Sequence, residues 1–264
     1  MAGIHQPRFQ HNKRVWRTAT LADVHRFIAD YGAVNQPDER GWAPVHWAAR
    51  WGDRAMMQAL IDAGADIELF DSRGHMALHL AARWGNCEAV RCLLANGADI
   101  HATDSRGAGV LHLAADRADT AELAGMLEAA ETGTDYVPPE DPEVWGNAEM
   151  IALLLGEGAE IDGTDDYDRT ALHYASDNLI TLGALLGAGA EINARDETGK
   201  TPLMRMVRLG SAEAVTFLLA HGADPALADM DGLTSFDIAE ETEWLADEAV
   251  REVLAQLNKK LRSV

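Results

Sequence analysis

Four of the ten histidines stand in register. His46, His79 and His112 are 33 residues apart, and His173 takes the same place in a later segment. Imidazole suits proton transfer near neutral pH and metal ligation. Ligands for one ion must lie within a few ångströms of each other, which residues one structural repeat apart do not. The regularity therefore reads as framework. Gly199-Lys200-Thr201 resembles the end of a phosphate loop, but the earlier glycine of such a loop is missing and no strand pattern precedes it. Asp165-Asp166 pairs two carboxylates, as chance allows in an acidic chain. The sequence has no G-x-S-x-G, H-E-x-x-H or C-x-x-C. The expectation is no catalytic site, no metal and no cofactor. Cys87 and Cys92 lie five apart in one helical pattern and do not face each other, so they read as free thiols of a reducing compartment with Cys92 buried.

Charge narrows the function classes further. The 264 residues carry 22 Lys and Arg against 43 Asp and Glu, a net charge of −21. Direct binding to nucleic acid or to an anionic membrane is not expected. The stretch 118–168 holds 15 acids and no Lys or Arg, so it supplies most of the excess. No acid precedes Asp23, whereas Arg8, Lys13, Arg14 and Arg17 make the N-terminal tail basic. There is no apolar run near 18 residues, and no apolar segment follows the basic start. Neither a membrane span nor a secretory signal is expected, and the cytoplasm is the expected location.

The elements that position these residues recur. Asp38, Asp71 and Asp104 are openings spaced 33 residues apart; Asp165, Asp196 and Asp229 open three more segments. The first five begin a turn whose fourth place is Gly41, Gly74, Gly107, Asp168 or Gly199. Positive φ is expected there, which glycine adopts freely and aspartate tolerates. An inner helix follows, with Pro44 or Pro202 in its first turn and paired alanines (Ala48-Ala49, Ala81-Ala82, Ala114-Ala115) that keep it thin. An outer helix carries Leu60-Ile61 or Leu93-Leu94 inward and ends at Gly64 or Gly97 as a C′ residue.

A fixed period with Val45-His46 or Leu78-His79, then Gly64-Ala65-Asp66 or Gly97-Ala98-Asp99, resembles the ankyrin-repeat family. The resemblance covers roughly residues 20–258. It implies an all-α ankyrin-repeat solenoid, helix-turn-helix repeats joined by hairpin turns and capped at both ends. It also implies that the in-register histidine bonds to turn backbone. The expected layout is a basic tail at 1–19, an N-terminal cap at 20–37, and repeats over 38–228 starting at 38, 71, 104, 165 and 196. A capping repeat follows at 229–264. The third repeat carries an insert of about 28 residues near 116–144, ending in the acidic loop Thr132–Glu143. The fourth is two residues short near Ser176-Asp177-Asn178, and Met204 and Asp237 replace histidine in the last two.

In this family the turn tips and inner-helix ends line a concave groove that holds the partner. Counting each opening Asp as one, places two, three, five, thirteen and fourteen of the five repeats give 25 positions, nine of them Lys or Arg and five Asp or Glu. The groove is expected to be basic and aromatic on an acidic body. Its candidates are Arg40, Trp42, Arg50, Trp51, Arg73, His75, Arg83, Trp84, Arg106, Tyr167, Arg169, Lys200 and Arg208. Trp and Arg dominate binding hot spots, and Arg forks onto carboxylates. The leading expectation is a monomeric, non-enzymatic protein-binding module. It would take an acidic segment of another protein and act by occlusion or scaffolding, as an inhibitor, immunity or anti-defence factor does. Three alternatives stand beside it. The same groove could bind a phosphorylated small ligand such as a nucleotide signal, the acidic 118–168 stretch could mimic nucleic acid, or the Arg and Trp rows could be structural, stem packed on ring.

Overall fold

A computed structural model describes residues 16, 19–116, 148–175 and 178–241. The tail, most of the insert with its acidic loop, and the chain beyond Glu241 lie outside them. Twelve helices are described: α1 (Leu21–Tyr31), α2 (Pro44–Trp51), α3 (Arg54–Asp62), α4 (Ala77–Arg83), α5 (Cys87–Ala95), α6 (Val110–Ala115), α7 (Ala148–Gly156), α8 (Ala171–Tyr174), α9 (Leu179–Gly187), α10 (Pro202–Leu209), α11 (Ala212–Ala220) and α12 (Ser235–Glu241). The chain forms two compact units, Met1–Ala114 with Leu153–Ala159, and Ala115–Ala152 with Glu160–Val264.

In the first unit α2 packs on α4, while α1, α3 and α5 stack in a second row. Ala48, Ala49, Ala81 and Ala82 are fully buried between the inner helices, where a larger side chain would part them. Leu60 and Leu93 come from the outer row and are equally buried. Thr20 and Asp23 cap α1 reciprocally: the Thr20 N–H donates to Asp23 at 3.0 Å and the Asp23 N–H to Thr20 Oγ1 at 3.3 Å. The α3 helix closes with Ala65 N–H on Leu60 O at 2.9 Å and Gly64 at φ 87°. In the second unit α8 packs on α9 and α10, α9 on α11, and α10 on α11 and α12. The α8 helix has four residues, and Asn178 caps α9 by accepting from Ile180 and Thr181 N–H. The α6 helix stops at Ala115, and Asp116 instead pairs with Ala175 in an isolated antiparallel bridge.

Every turn is closed the same way. The N–H of the opening aspartate donates to the carbonyl of place five at 2.9–3.0 Å in all six repeats, from Asp38 on Trp42 to Asp229 on Leu233. Gly41, Gly74, Gly107, Gly199 and Gly232 have φ between 73° and 81°, and Asp168, at φ 57°, is the one non-glycine with positive φ among the described residues. Successive turns touch. Ser72 N–H donates to Arg40 O at 3.1 Å, Glu197 N–H to Tyr167 O at 2.9 Å, and Met230 N–H to Thr198 O at 2.9 Å. A Cβ on Gly74 would lie 2.6 Å from Ser105 N. Gly74→Ala is therefore expected to lose about 1–2 kcal/mol from left-handed backbone alone and more from the clash. Urea unfolding checks this, and a loss under about 0.5 kcal/mol would contradict it.

The in-register histidines are framework. His46, His79, His112 and His173 each accept at Nδ1 from the N–H three residues before, at 3.0–3.3 Å. For three of them Nε2 faces the carbonyl of Leu69, Ala102 or Lys200 in the next turn at 3.0–3.1 Å. A nitrogen that accepts carries no proton, so the ring is neutral with its proton on Nε2. Burial keeps it so: His46 and His173 are pushed below the ordinary 6.5, and burial with the charge of His75 takes His79 to about 4. Where histidine is replaced, Thr201 Oγ1 accepts from Met204 N–H at 3.4 Å, and Asp237 accepts from Thr234 N–H at 2.8 Å. Cys92 is fully buried, which raises its thiol, and neither Cys87 nor Cys92 is in a disulfide.

Candidate functional site

Beneath the tips, the opening aspartates do two jobs at once. Oδ1 accepts from the N–H groups of places three and five: Arg40 and Trp42 for Asp38, Arg73 and His75 for Asp71, Arg106 and Ala108 for Asp104, all at 2.7–3.0 Å. Asp165, Asp196 and Asp229 repeat the arrangement. In three cases this leaves Oδ2 facing a polar group at place five of the preceding repeat, as a hydrogen bond from Trp42 and as a charge contact with His75 and Lys200. Trp42 Nε1 donates to Asp71 Oδ2 at 3.0 Å, His75 Nε2 lies 3.4 Å from Asp104 Oδ2, and Lys200 Nζ lies 3.8 Å from Asp229 Oδ2. Place five is thus a rivet between turns, which sequence reasoning missed by treating it as a tip. Six identical opening aspartates were the signal available for it.

Three candidates turn inward, Trp42 and His75 for that reason and Arg50 for another. Trp42 is 8% exposed, His75 2% and Arg50 6%. The Arg50 guanidinium lies 3.6 Å from the Trp84 ring, 4.6 Å from Trp51 and 6.0 Å from Trp42. A cation over a ring face is attracted by the ring quadrupole, so this group is a cation–π stack holding α2 to the end of α4. Trp51, Arg83 and Trp84 are partly exposed at its edge.

The outward candidates in the first unit are Arg40, Arg73 and Arg106, at place three of three consecutive turns, and all are exposed. The turns are held in register by Ser72 N–H on Arg40 O and by Ser105 Oγ on Arg73 O at 2.6 Å. The guanidinium groups of Arg40 and Arg73 have no hydrogen-bond or ion-pair partner among the described residues. Arg106, its side chain 47% exposed, lies 3.4 Å from Asp104.

In the second unit Arg169 is occupied locally. It sits 2.6 Å from Asp165 Oδ2 and donates to Tyr174 Oη at 2.9 Å, with its guanidinium 4.8 and 4.9 Å from the rings of Tyr167 and Tyr174. Tyr174 in turn donates to Asp165 at 2.7 Å. Burial raises the Asp165 carboxyl, and the hydrogen bonds from Arg169 and Tyr174 lower it by more. Tyr167 is exposed at 44% and Arg208 is exposed at the end of α10. Lys200 is half-buried and donates to Thr198 Oγ1 at 3.1 Å, so the Gly-Lys-Thr run is turn, rivet and helix cap.

These stacked turn-and-helix-pair units are those of a repeat-built binding scaffold. A pattern described as ankyrin repeats (3 copies) matches residues 18–104, and one described as ankyrin repeat matches 167–197 and 198–230. The chain belongs to the ankyrin-repeat family. It is 37% identical over 101 residues to the BTB/POZ domain and ankyrin repeat-containing protein NPR5 of Oryza sativa subsp. japonica, covering 35% of this chain and 18% of that one. Similarity to NOOT2 of Medicago truncatula is 37% over 101 residues, 35% and 19% of the two chains. For NBCL of Lupinus angustifolius it is 36% over 101 residues, again 35% and 19%. The matched region is thus about a fifth of the length of these relatives. No helix among the described residues is long and apolar enough to cross a membrane.

Proposed function

We propose that the chain is a protein-binding module without chemistry of its own, and that it takes an acidic segment of its partner on the row Arg40, Arg73 and Arg106. The observation that supports this most is the pair of exposed guanidinium groups, Arg40 and Arg73, with no internal partner among the described residues, on a protein of net charge −21. An arginine that serves the fold is tied down, as Arg50 and Arg169 are. One left free on an otherwise acidic chain is set for an external carboxylate, which it can grip with two parallel N–H donors. The action that follows is occlusion of the bound segment or its presentation alongside other parts of a complex.

The nucleotide reading has less support. Its stacking platform would be Trp84, whose ring already carries Arg50 at 3.6 Å. The nucleic-acid mimic reading turns on the 118–168 stretch, most of which lies outside the described residues. Partners captured from native lysate and identified by mass spectrometry provide the test material. Arg73→Ala is expected to weaken binding at least about tenfold, with affinity falling as salt rises and circular dichroism unchanged. Undiminished affinity would reject the row as the contact.

A further inference from the structure

We infer that Asp71, His75 and Asp104 form a buried proton-operated clamp between the second and third turns, one that sets how firmly the turn bearing Arg106 is held. Its bearing on docking rests on the function proposed above; the clamp itself does not.

The geometry carries the inference. His75 Nδ1 lies 3.3 Å from Asp71 Oδ2 and Nε2 lies 3.4 Å from Asp104 Oδ2, with the imidazole side chain 2% and the carboxylates 3% and 0% exposed. Both ring nitrogens thus face carboxylate oxygens. A neutral imidazole has one N–H and one lone pair, so it would set a lone pair against a carboxylate. Only the imidazolium satisfies both. The framework histidines are the internal contrast, since their Nδ1 accepts from backbone and excludes a second proton. Other groups around His75 are few. Trp42 Nε1 shares Asp71 Oδ2, Arg106 lies beside Asp104, and the neutral His79 ring is 6.3 Å away. His46 on α2 is neutral, and Arg73 on the same turn points to solvent.

The signs follow. Burial lowers the His75 affinity for its proton, but Asp104 and Asp71 outweigh burial and raise its pKa above 6.5. Stability from this proton is complete below 6.5 and lost as pH rises through the raised value. Burial likewise raises the Asp71 carboxyl, but His75 and the turn N–H groups hold it at about 2, and Asp104 sits well below the usual carboxylate range. Their contribution is present above 3.8 and lost as pH falls toward 2. His46, His79 and His173 act oppositely to His75, losing stability as pH falls below 6.5. The range between pH 6.5 and about 8, below the range in which the raised Cys92 thiol titrates, therefore isolates the clamp.

The experiment is urea unfolding of the full chain from pH 6.5 to about 8, below the Cys92 range, with His75→Gln alongside. The unfolding constant of the wild type is expected to rise by up to about tenfold per pH unit, and that slope is expected to vanish in His75→Gln. Equal slopes, or a flat wild type, overturn the clamp. Imidazole nitrogen NMR of the wild type serves as an independent readout: one ring, lost in His75→Gln or moved in Asp104→Asn, should carry two protons at neutral pH. A neutral tautomer there overturns the clamp as well. A labelled Glu-Ser repeat peptide reads the docking face, and its affinity should fall over the same alkaline range in the wild type but not in His75→Gln. Binding without that dependence rejects the regulation. A peptide that binds at no pH, with the unfolding slope intact, counts against the docking reading and leaves the clamp standing.

Discussion

Asp104→Ala is expected to destabilise the fold by about 3–5 kcal/mol, the usual cost of removing one partner of a buried ion pair. Two N–H groups lose their acceptor and His75 loses a counter-charge. The N–H groups of Arg106 and Ala108 are left without Oδ1, at 2.7 and 3.0 Å, and His75 is left without Oδ2. No water reaches a carboxylate side chain that is fully buried, so unmade bonds there carry their desolvation penalty. Asp104→Asn separates the parts. Its side-chain oxygen keeps the two turn bonds while the charge opposite His75 disappears, so a smaller loss is expected. Urea denaturation near pH 6 measures both. A loss under about 1 kcal/mol for the alanine variant would show that the turn rivets are not what couples the repeats.

Arg50→Ala carries the second large effect, and its sign is structural. The guanidinium is enclosed by Trp84, Trp51 and Trp42, so truncation leaves a cavity among rings and removes the cation that joins them. A loss of about 2–4 kcal/mol is expected, with partial recovery in Arg50→Met, which refills volume without charge. Trp84→Ala belongs with it and is expected to fail by unfolding, so it is a poor probe of binding. Exposed Arg40 and Arg73 should instead tolerate alanine within about 0.5 kcal/mol. Thermal and urea unfolding of the five variants decide this. An Arg50→Ala protein as stable as the wild type would return Arg50 to the candidate contacts.

The difference between these arginines explains what the sequence could show. Period, turn glycines, alanine pairs and capping prolines report local backbone needs, each of which fixes a residue type. Gly74 reads as positive φ because few other residues adopt it, and Asp168 was legible as the tolerated exception. Whether an arginine points outward is not local. Arg50 and Arg73 both stand at groove places, yet Arg50 turns under because tryptophans from two repeats meet over it, and Arg73 does not because its turn bonds hold it at the tip. Place five hid its role similarly. Trp42, His75 and Lys200 share little chemistry as side chains, and only the Oδ2 of the next repeat's aspartate shows that they face equivalent carboxylates. The insert near 116–144 was legible as a break in period, but its acids carry no register from which a position could be read.

On the proposed reading the turn-tip arginines, and not the buried stack, meet the partner. Affinity of the captured partner for wild type and for the Arg40→Glu, Arg73→Glu, Arg106→Glu triple variant tests it most directly, with unfolding curves run on both. The expected result is a triple variant as stable as the wild type whose binding falls by about a hundredfold or more. Equal affinity for the two proteins would contradict the account and move the contact surface elsewhere on the chain.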